Sequence, residues 1–189
     1  MTSGNRRWLI SGGLGSGKSE VRRLLERSGL RTVDADSVGH SVLAEEGRDA
    51  VSARWPQAFS DGQVDRRALA AIVFDDPGEL AALEAITHPL IFGRIEAELE
   101  GFAGVAVVEV PLIDTSLGWP LMVVDAPDEV RLQRAVARGM AQDDAKRRMK
   151  SQPDRSEWLA SADLVVPNHG TLAELEDTVA ILAEFLSPP

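Results

Sequence analysis

The sequence predicts an α/β fold with a mainly parallel sheet, and three observations point there. Strand-like apolar runs alternate with helix-like patterns along the chain. Several of those runs are continuous rather than alternating, as in strands covered on both faces. A glycine-rich turn, Gly12 to Ser19, joins the first run to the first helical pattern. In order, strands are predicted at Arg7 to Ser11, Leu30 to Asp34, Val105 to Val110, Leu121 to Asp125 and Leu164 to Val166. Val21, Leu24 and Leu25 share one face of a first helix that should stop near Ser28-Gly29. From Ser37 to Gly104 there is no strand signal. The apolar spacing there (Leu69, Ile72, Val73; then Leu80, Leu83, Ile86, Leu90, Ile91) reads as several helices, one interrupted near Pro89. That is more chain than a crossover needs, so residues 37–104 are expected to form a helical subdomain inserted in one domain spanning 1–189. The arginine-rich stretch 138–155 is read as a mobile lid. Leu172, Leu175, Val179, Leu182 and Leu186 step by three and four in a last helix, with Thr171 and Glu174 as its capping box.

Composition narrows the function. A chain of 189 residues can bury one full core, and 44% apolar with 26% charged residues is ordinary for a globular enzyme. There is no cysteine, which excludes disulfides and thiolate metal sites. No apolar run approaches the roughly 20 residues of a membrane span, and Trp8-Leu9-Ile10 is too short for a signal h-region, so a cytoplasmic location is expected. The net charge of −10 weighs against nucleic acid as a partner. A small anion is compatible with it, because backbone N–H groups and local cations hold one against the global field.

The residues Gly12-Gly13-Leu14-Gly15-Ser16-Gly17-Lys18-Ser19 satisfy the P-loop pattern G-x-x-x-x-G-K-[ST]. Its glycines let successive N–H groups face phosphate oxygens, and the helix that follows adds its positive end. Gly13 to Glu20 are therefore the candidate ATP contacts, with Lys18 on the β- and γ-phosphates and the Ser19 hydroxyl on Mg²⁺. The loop follows an apolar strand and opens an amphipathic helix, the context the pattern requires. No Asn-Lys-x-Asp motif occurs, which counts against a GTPase. A kinase for small acceptors needs a carboxylate near the γ-phosphate, and Val33-Asp34-Ala35-Asp36 supplies two after the second strand. Read from the residues alone, Asp36 is either that carboxylate or a helix N-cap.

These segments, with others in register, resemble the dephospho-coenzyme A kinase family. The resemblance rests on Gly12 to Ser19, Val33 to Asp36, Asp61-Gly62-Gln63-Val64-Asp65-Arg66-Arg67-Ala68-Leu69 and Val73-Phe74-Asp75-Asp76-Pro77. It continues through His88-Pro89-Leu90-Ile91, Val110-Pro111-Leu112-Ile113, Gln152 and Ala162 to Gly170. The chain departs by a shortening around Asp114 to Leu121, by Ser11 in place of Thr, and by Glu20 in place of a second hydroxyl.

The resemblance implies a P-loop NTPase fold: a five-stranded parallel sheet flanked by helices. It also implies phosphorylation of the ribose 3′-hydroxyl of dephospho-coenzyme A by ATP and Mg²⁺, with Asp36 as base. Asp34 would help through a metal-bound water or by shaping the loop. Glu109 either supports the metal or faces solvent. Arg131, Arg134 and Arg138 share one helix face, which read from the residues alone is a solvated basic face; family position favours Arg134 as the phosphate clamp and Arg138 beside it, with Arg131 expected to be a near-neutral part of that face. Arg66 and His88 fall on the coenzyme A side, His88 being as well suited to a backbone hydrogen bond. The rivals are a nucleoside or nucleotide kinase and a regulatory nucleotide binder. The expected partners are small molecules only, with no membrane, for a monomer or small homo-oligomer.

Overall fold

The computed structural model describes residues 6–112 and 117–187. The shortened segment around Asp114 and Thr115 lies outside the described residues. The chain divides into two compact units, 1–34 with 101–189, and Ala35–Glu100.

The first unit is built on five parallel strands: β1 (Arg6–Ser11), β2 (Arg31–Asp34), β5 (Val105–Glu109), β6 (Leu121–Asp125) and β7 (Leu164–Pro167). Their order is β2-β5-β1-β6-β7. All five expected strands are present, each within a residue or so of its predicted ends. Because every pairing is parallel, Ser11, Asp34, Glu109 and Asp125 all fall at carboxyl ends on one edge of the sheet, where ligands of such folds gather. Register places Asp34 and Ile10 both opposite Glu109.

Helices flank the sheet. α1 (Lys18–Arg27) buries Val21, Leu24 and Leu25 and ends at Ser28, with Gly29 at φ 90, as its residues predict. α9 (Leu172–Leu186) starts at the expected capping box, with Thr171 and Glu174 each satisfying the other's backbone N–H. These two helices and alternate strand residues (Ile10, Val107, Met122, Val124, Val166) form one continuous core. Leu172 is the exception: it is 56% exposed and lies outside that core. On the remaining connections lie α6 (Asp128–Ala137), α7 (Gln142–Lys150) and α8 (Arg155–Ala160). α7 packs on α6 through a fully buried Ala145, and α8 buries Trp158.

The second unit comprises α2 (Ala35–Ala44), α3 (Arg48–Arg54), a 3₁₀ turn at Pro56–Ala58, β3 (Phe59–Ser60), β4 (Gln63–Val64), α4 (Arg66–Val73) and α5 (Pro77–Leu99). Its core gathers Val51, Trp55, Ala58, Leu69 and Val73, and the Trp55 indole N–H donates to Glu79 at 2.7 Å. Two expectations need correction here. The segment was expected to hold no strand, yet β3 and β4 form a small antiparallel hairpin. Asp61 and Gly62 both take positive φ (51 and 73), the geometry of a two-residue hairpin turn that Asp-Gly favours. The helix expected to break near Pro89 runs unbroken for 23 residues. Proline removes one i→i−4 hydrogen bond, but buried Thr87, Ile95 and Leu99 on either side hold the helix together.

Candidate active site

The phosphate loop begins at Gly12, directly after β1, and its glycines are demanded by what packs around it. Gly15 and Gly17 lie at φ 78 and 97, left-handed backbone that side chains rarely adopt. A Cβ at Gly15 would strike the Arg131 backbone, and one at Gly17 the Asn168 side chain. Within the loop, the Ser16 N–H donates to Gly13 O at 3.0 Å, and the Leu14 N–H donates to Gln152 Oε1 at 2.8 Å. Among the described residues the N–H groups of Gly15, Gly17, Lys18 and Ser19 find no acceptor. Four open donors beside the positive end of a ten-residue helix make an anion cradle. Lys18 is the helix's first residue, half-buried, with no hydrogen-bond or ion-pair partner among the described residues.

Ser19 lies one residue further on. Its hydroxyl donates to Glu109 Oε1 at 2.6 Å, and the Arg22 Nε donates to Glu109 Oε2 at 2.7 Å. Glu109 is 6% exposed, so it does not face solvent. Arg22 also approaches Asp34 at 3.6 Å, which links Ser19, Glu109, Arg22 and Asp34 in one chain of charges. Arg22 carried no motif signal. Only the parallel register that sets Asp34 opposite Glu109 brings it between them. Ser11 ties the strand ends together, its hydroxyl donating to Val110 O and Leu112 O at 2.9 and 3.0 Å.

On the other side of the loop stands α6. Arg134 donates to Asn168 O at 2.9 Å and to Asn168 Oδ1 at 3.2 Å, and forms no ion pair among the described residues. Burial, with the neighbouring Arg138 charge, pushes its guanidinium pKa down. Two cations without a carboxylate suit a polyanion. Asn168, 6% exposed, reaches back to Ser16 O at 2.7 Å. Arg134, Arg138, Asn168, Gly17, Glu20 and Leu175 line a cavity of about 330 Å³. Glu20 is bridged to Arg23 at 2.8 Å.

Arg131 overturns its expectation. Far from being solvated, it is 4% exposed, donates from Nε to Leu14 O at 3.0 Å and pairs with Asp128 at 2.9 Å. Helical spacing shows which residues share a face, but not that the P-loop covers part of it.

Asp125, at the end of β6, accepts from Arg155 Nε and Nη2 at 2.8 and 2.7 Å. These bonds first, then the charges of Arg155, Arg131 and His169, hold its carboxyl below the usual aspartate range. A depressed carboxyl stabilises the fold above its unfolded pKa and loses that contribution as the pH falls through the folded value. Arg155→Ala should therefore lower the melting temperature at pH 7, and the gap should close as Asp125 protonates in acid. A gap that persists unchanged at pH 2 would contradict this.

The remaining expected site residues belong to the second unit. Asp36 is exposed in the first turn of α2, one residue inside the helix, so it is not the N-cap. Arg66 opens α4 and is exposed; the cap of that helix is Asp65, which accepts from Arg67 N and Ala68 N. His88 is exposed on α5, and its ring lies 5.5 Å from that of Phe92, one turn on.

A parallel sheet with a phosphate loop after its central strand, a lysine and a hydroxyl opening the next helix, and arginines over the loop together define a P-loop kinase. Comparison with known proteins refines the class. The dephospho-CoA kinase family model matches residues 9–174, and the chain belongs to that family. It is 42% identical to the dephospho-CoA kinase of Streptomyces avermitilis over 184 residues, 90% of this chain and 88% of that one. To the enzyme of the same name from Corynebacterium glutamicum it is 40% identical, over 94% and 96% of the two chains. A crystal structure from Thermus thermophilus superposes with a TM-score of 0.84 at 34% identity, covering 95% of this chain and 97% of the other.

Proposed function

We propose that the chain transfers the γ-phosphoryl group of ATP to the ribose 3′-hydroxyl of dephospho-CoA, giving coenzyme A and ADP, the last step of coenzyme A biosynthesis. The observation that carries the reading is the cradle of open N–H groups from Gly15 to Ser19, in a chain that matches the family model over residues 9–174. In the reaction the 3′-oxygen forms a bond to Pγ as the bond from Pγ to the β-phosphate bridging oxygen breaks, and ADP leaves with that electron pair. Asp36 takes the proton of the 3′-hydroxyl. The open N–H groups of Gly15, Gly17, Lys18 and Ser19, with the Lys18 ammonium, hold the β- and γ-phosphates, with Glu20 at the cavity edge. Arg134, with Arg138, clamps the charge that builds on the transferring group. Arg66 and His88 serve the coenzyme A side, as does the helical segment 37–104, and the stretch 138–155 acts as the lid.

Mg²⁺ fits the residues present. The Ser19 hydroxyl and the Glu109 carboxylate are hard oxygen donors brought together, and no cluster of three His, Asp or Glu side chains exists among the described residues. Mg²⁺ typically takes one or two such groups, filling its sphere with water and phosphate. Ser19 would hold it, with Glu109 and Asp34 close behind, and when bound it would neutralise phosphate charge. No helix among the described residues is long and apolar enough to cross a membrane. A cytoplasmic protein acting on small molecules, as a monomer or small homo-oligomer, completes the reading.

Turnover with ATP and dephospho-CoA, set beside ATP with AMP, with adenosine and with no acceptor, tests the proposal. Equal rates with AMP or adenosine would return the chain to the nucleotide or nucleoside kinases. ATP binding without turnover on any acceptor would make it a regulatory binder.

The clamp has its own test. Arg134→Ala should lower kcat more than it raises KM, by no more than about 10³, because Lys18 remains. Arg134→Lys should recover part of the loss. The variant also gives up the bonds to Asn168, so its melting temperature must be followed alongside. A stability loss with unchanged kcat would make Arg134 a strut.

A further inference from the structure

Leu14, in the phosphate loop, is gripped on both sides of its Cα by residues outside the loop. Its N–H donates to Gln152 Oε1 at 2.8 Å, and its C=O accepts from Arg131 Nε at 3.0 Å. Arg131 Nη2 lies 3.5 Å from the same Gln152 oxygen, and its Nη1 is anchored on Asp128 at 2.9 Å. Arg131 is almost fully buried, and a Cβ at Gly13 would collide with its guanidinium. The loop and this pair of side chains therefore occupy one another's space.

The geometry points to Arg131 and Gln152 as positioning residues that fix the two peptide groups flanking Leu14 and so aim the following N–H groups at the phosphates. The Leu14 N–H belongs to the peptide joining it to Gly13 and its C=O to the peptide joining it to Gly15, so each of these two planes is held at one end. With the Leu14 C=O turned to Arg131, the Gly15 N–H of the same trans plane faces the opposite way. The pattern of satisfied donors agrees. Leu14 and Ser16 spend their N–H groups on the protein, whereas Gly15, Gly17, Lys18 and Ser19 keep theirs open. Leu14 is thus not itself an ATP ligand through its N–H. Gln152 directly follows Ser151, the C-cap of α7, so the arginine-rich stretch is rooted on the loop it was expected to cover.

The inference rests on the ATP reading for its kinetic consequence, but not for its structural one. The cradle holds phosphates that are bound before and during transfer alike, so loosening it weakens ATP binding without slowing the chemical step. Gln152 is only partly buried, so Gln152→Ala should fold. In the nucleotide-free protein, exchange of the Leu14 amide proton, followed by NMR, should then speed up about fivefold to tenfold, the effect of one lost hydrogen bond. ADP affinity by calorimetry should fall by a similar factor, and the KM for ATP should rise likewise, with kcat within about twofold. Gln152→Glu keeps an acceptor oxygen beside Arg131, and should restore both slow exchange and most of the ADP affinity. The lock is overturned if Gln152→Ala leaves the Leu14 exchange rate or ADP affinity unchanged, or if kcat falls while the KM for ATP stays put. It is equally overturned if ADP added to the wild-type protein speeds Leu14 exchange, because nucleotide would then displace Gln152. Lack of turnover with dephospho-CoA would sink the functional proposal and leave the exchange and ADP measurements to decide this one.

Discussion

Lys18→Ala is expected to reduce phosphotransfer to background while leaving the melting temperature close to that of the parent protein. Lys18 is the first residue of α1, where a backbone N–H has no partner within the helix and alanine is a good helix former. Its ammonium meets no carboxylate among the described residues, so its removal strands no buried charge. What is lost is a full positive charge beside the β- and γ-phosphates. A single oxyanion donor is worth about 10²–10³ in rate, and a charge placed on the transferring group should exceed that. Near-parental turnover in Lys18→Ala would remove the basis for reading Gly12 to Ser19 as a nucleotide site. Unfolding of the variant would show that the ammonium has a packing role.

Asp36→Asn is expected to cost about 10²–10⁴ in kcat with ADP affinity nearly unchanged, the range for loss of a general base. Asparagine keeps the shape and both polar atoms but cannot take the 3′-hydroxyl proton. The structure makes the control sharper than helix capping would have done. Asp36 stands inside the first turn of α2, where a carboxylate gains roughly 0.3–1 kcal/mol from the helix dipole, so a small stability loss is expected in any case. A variant that loses only that stability, at unchanged kcat, would confine Asp36 to the helix terminus. Asp34→Asn should cost less in kcat, since Asp34 lies in reach of the Arg22 guanidinium that also holds Glu109. The reverse ranking would exchange the two roles.

The central strands β5 and β6 were legible because each is a compact apolar run, and burial on both faces leaves that mark in composition. The hairpin β3–β4 escaped because two-residue strands are too short for any periodicity; its signal was the turn, Asp61-Gly62. At the site, Gly12 to Ser19 could be read directly, because the phosphate cradle is made by consecutive residues. Arg22, Arg131 and Asn168 could not be assigned in that way. Each acts through a partner that only folding supplies: Glu109 for Arg22, the Leu14 carbonyl for Arg131, and the Ser16 carbonyl for Asn168.

The strand order carries a consequence for how the chain reaches this state. β1, which ends in the phosphate loop, has as neighbours only β5 and β6, and its first pairing joins Arg6 to Val105. During synthesis, therefore, β1 and α1 emerge about 100 residues before the strand that completes them, and at 5–20 residues per second they wait about 5–20 seconds. Meanwhile α3, α4 and α5 can close the core around Trp55 from contacts between near neighbours in the chain. An antibody or aptamer specific for the folded loop should accordingly recognise ribosome-bound chains only after β5 and β6 have left the exit tunnel, well after the helical unit has become resistant to protease.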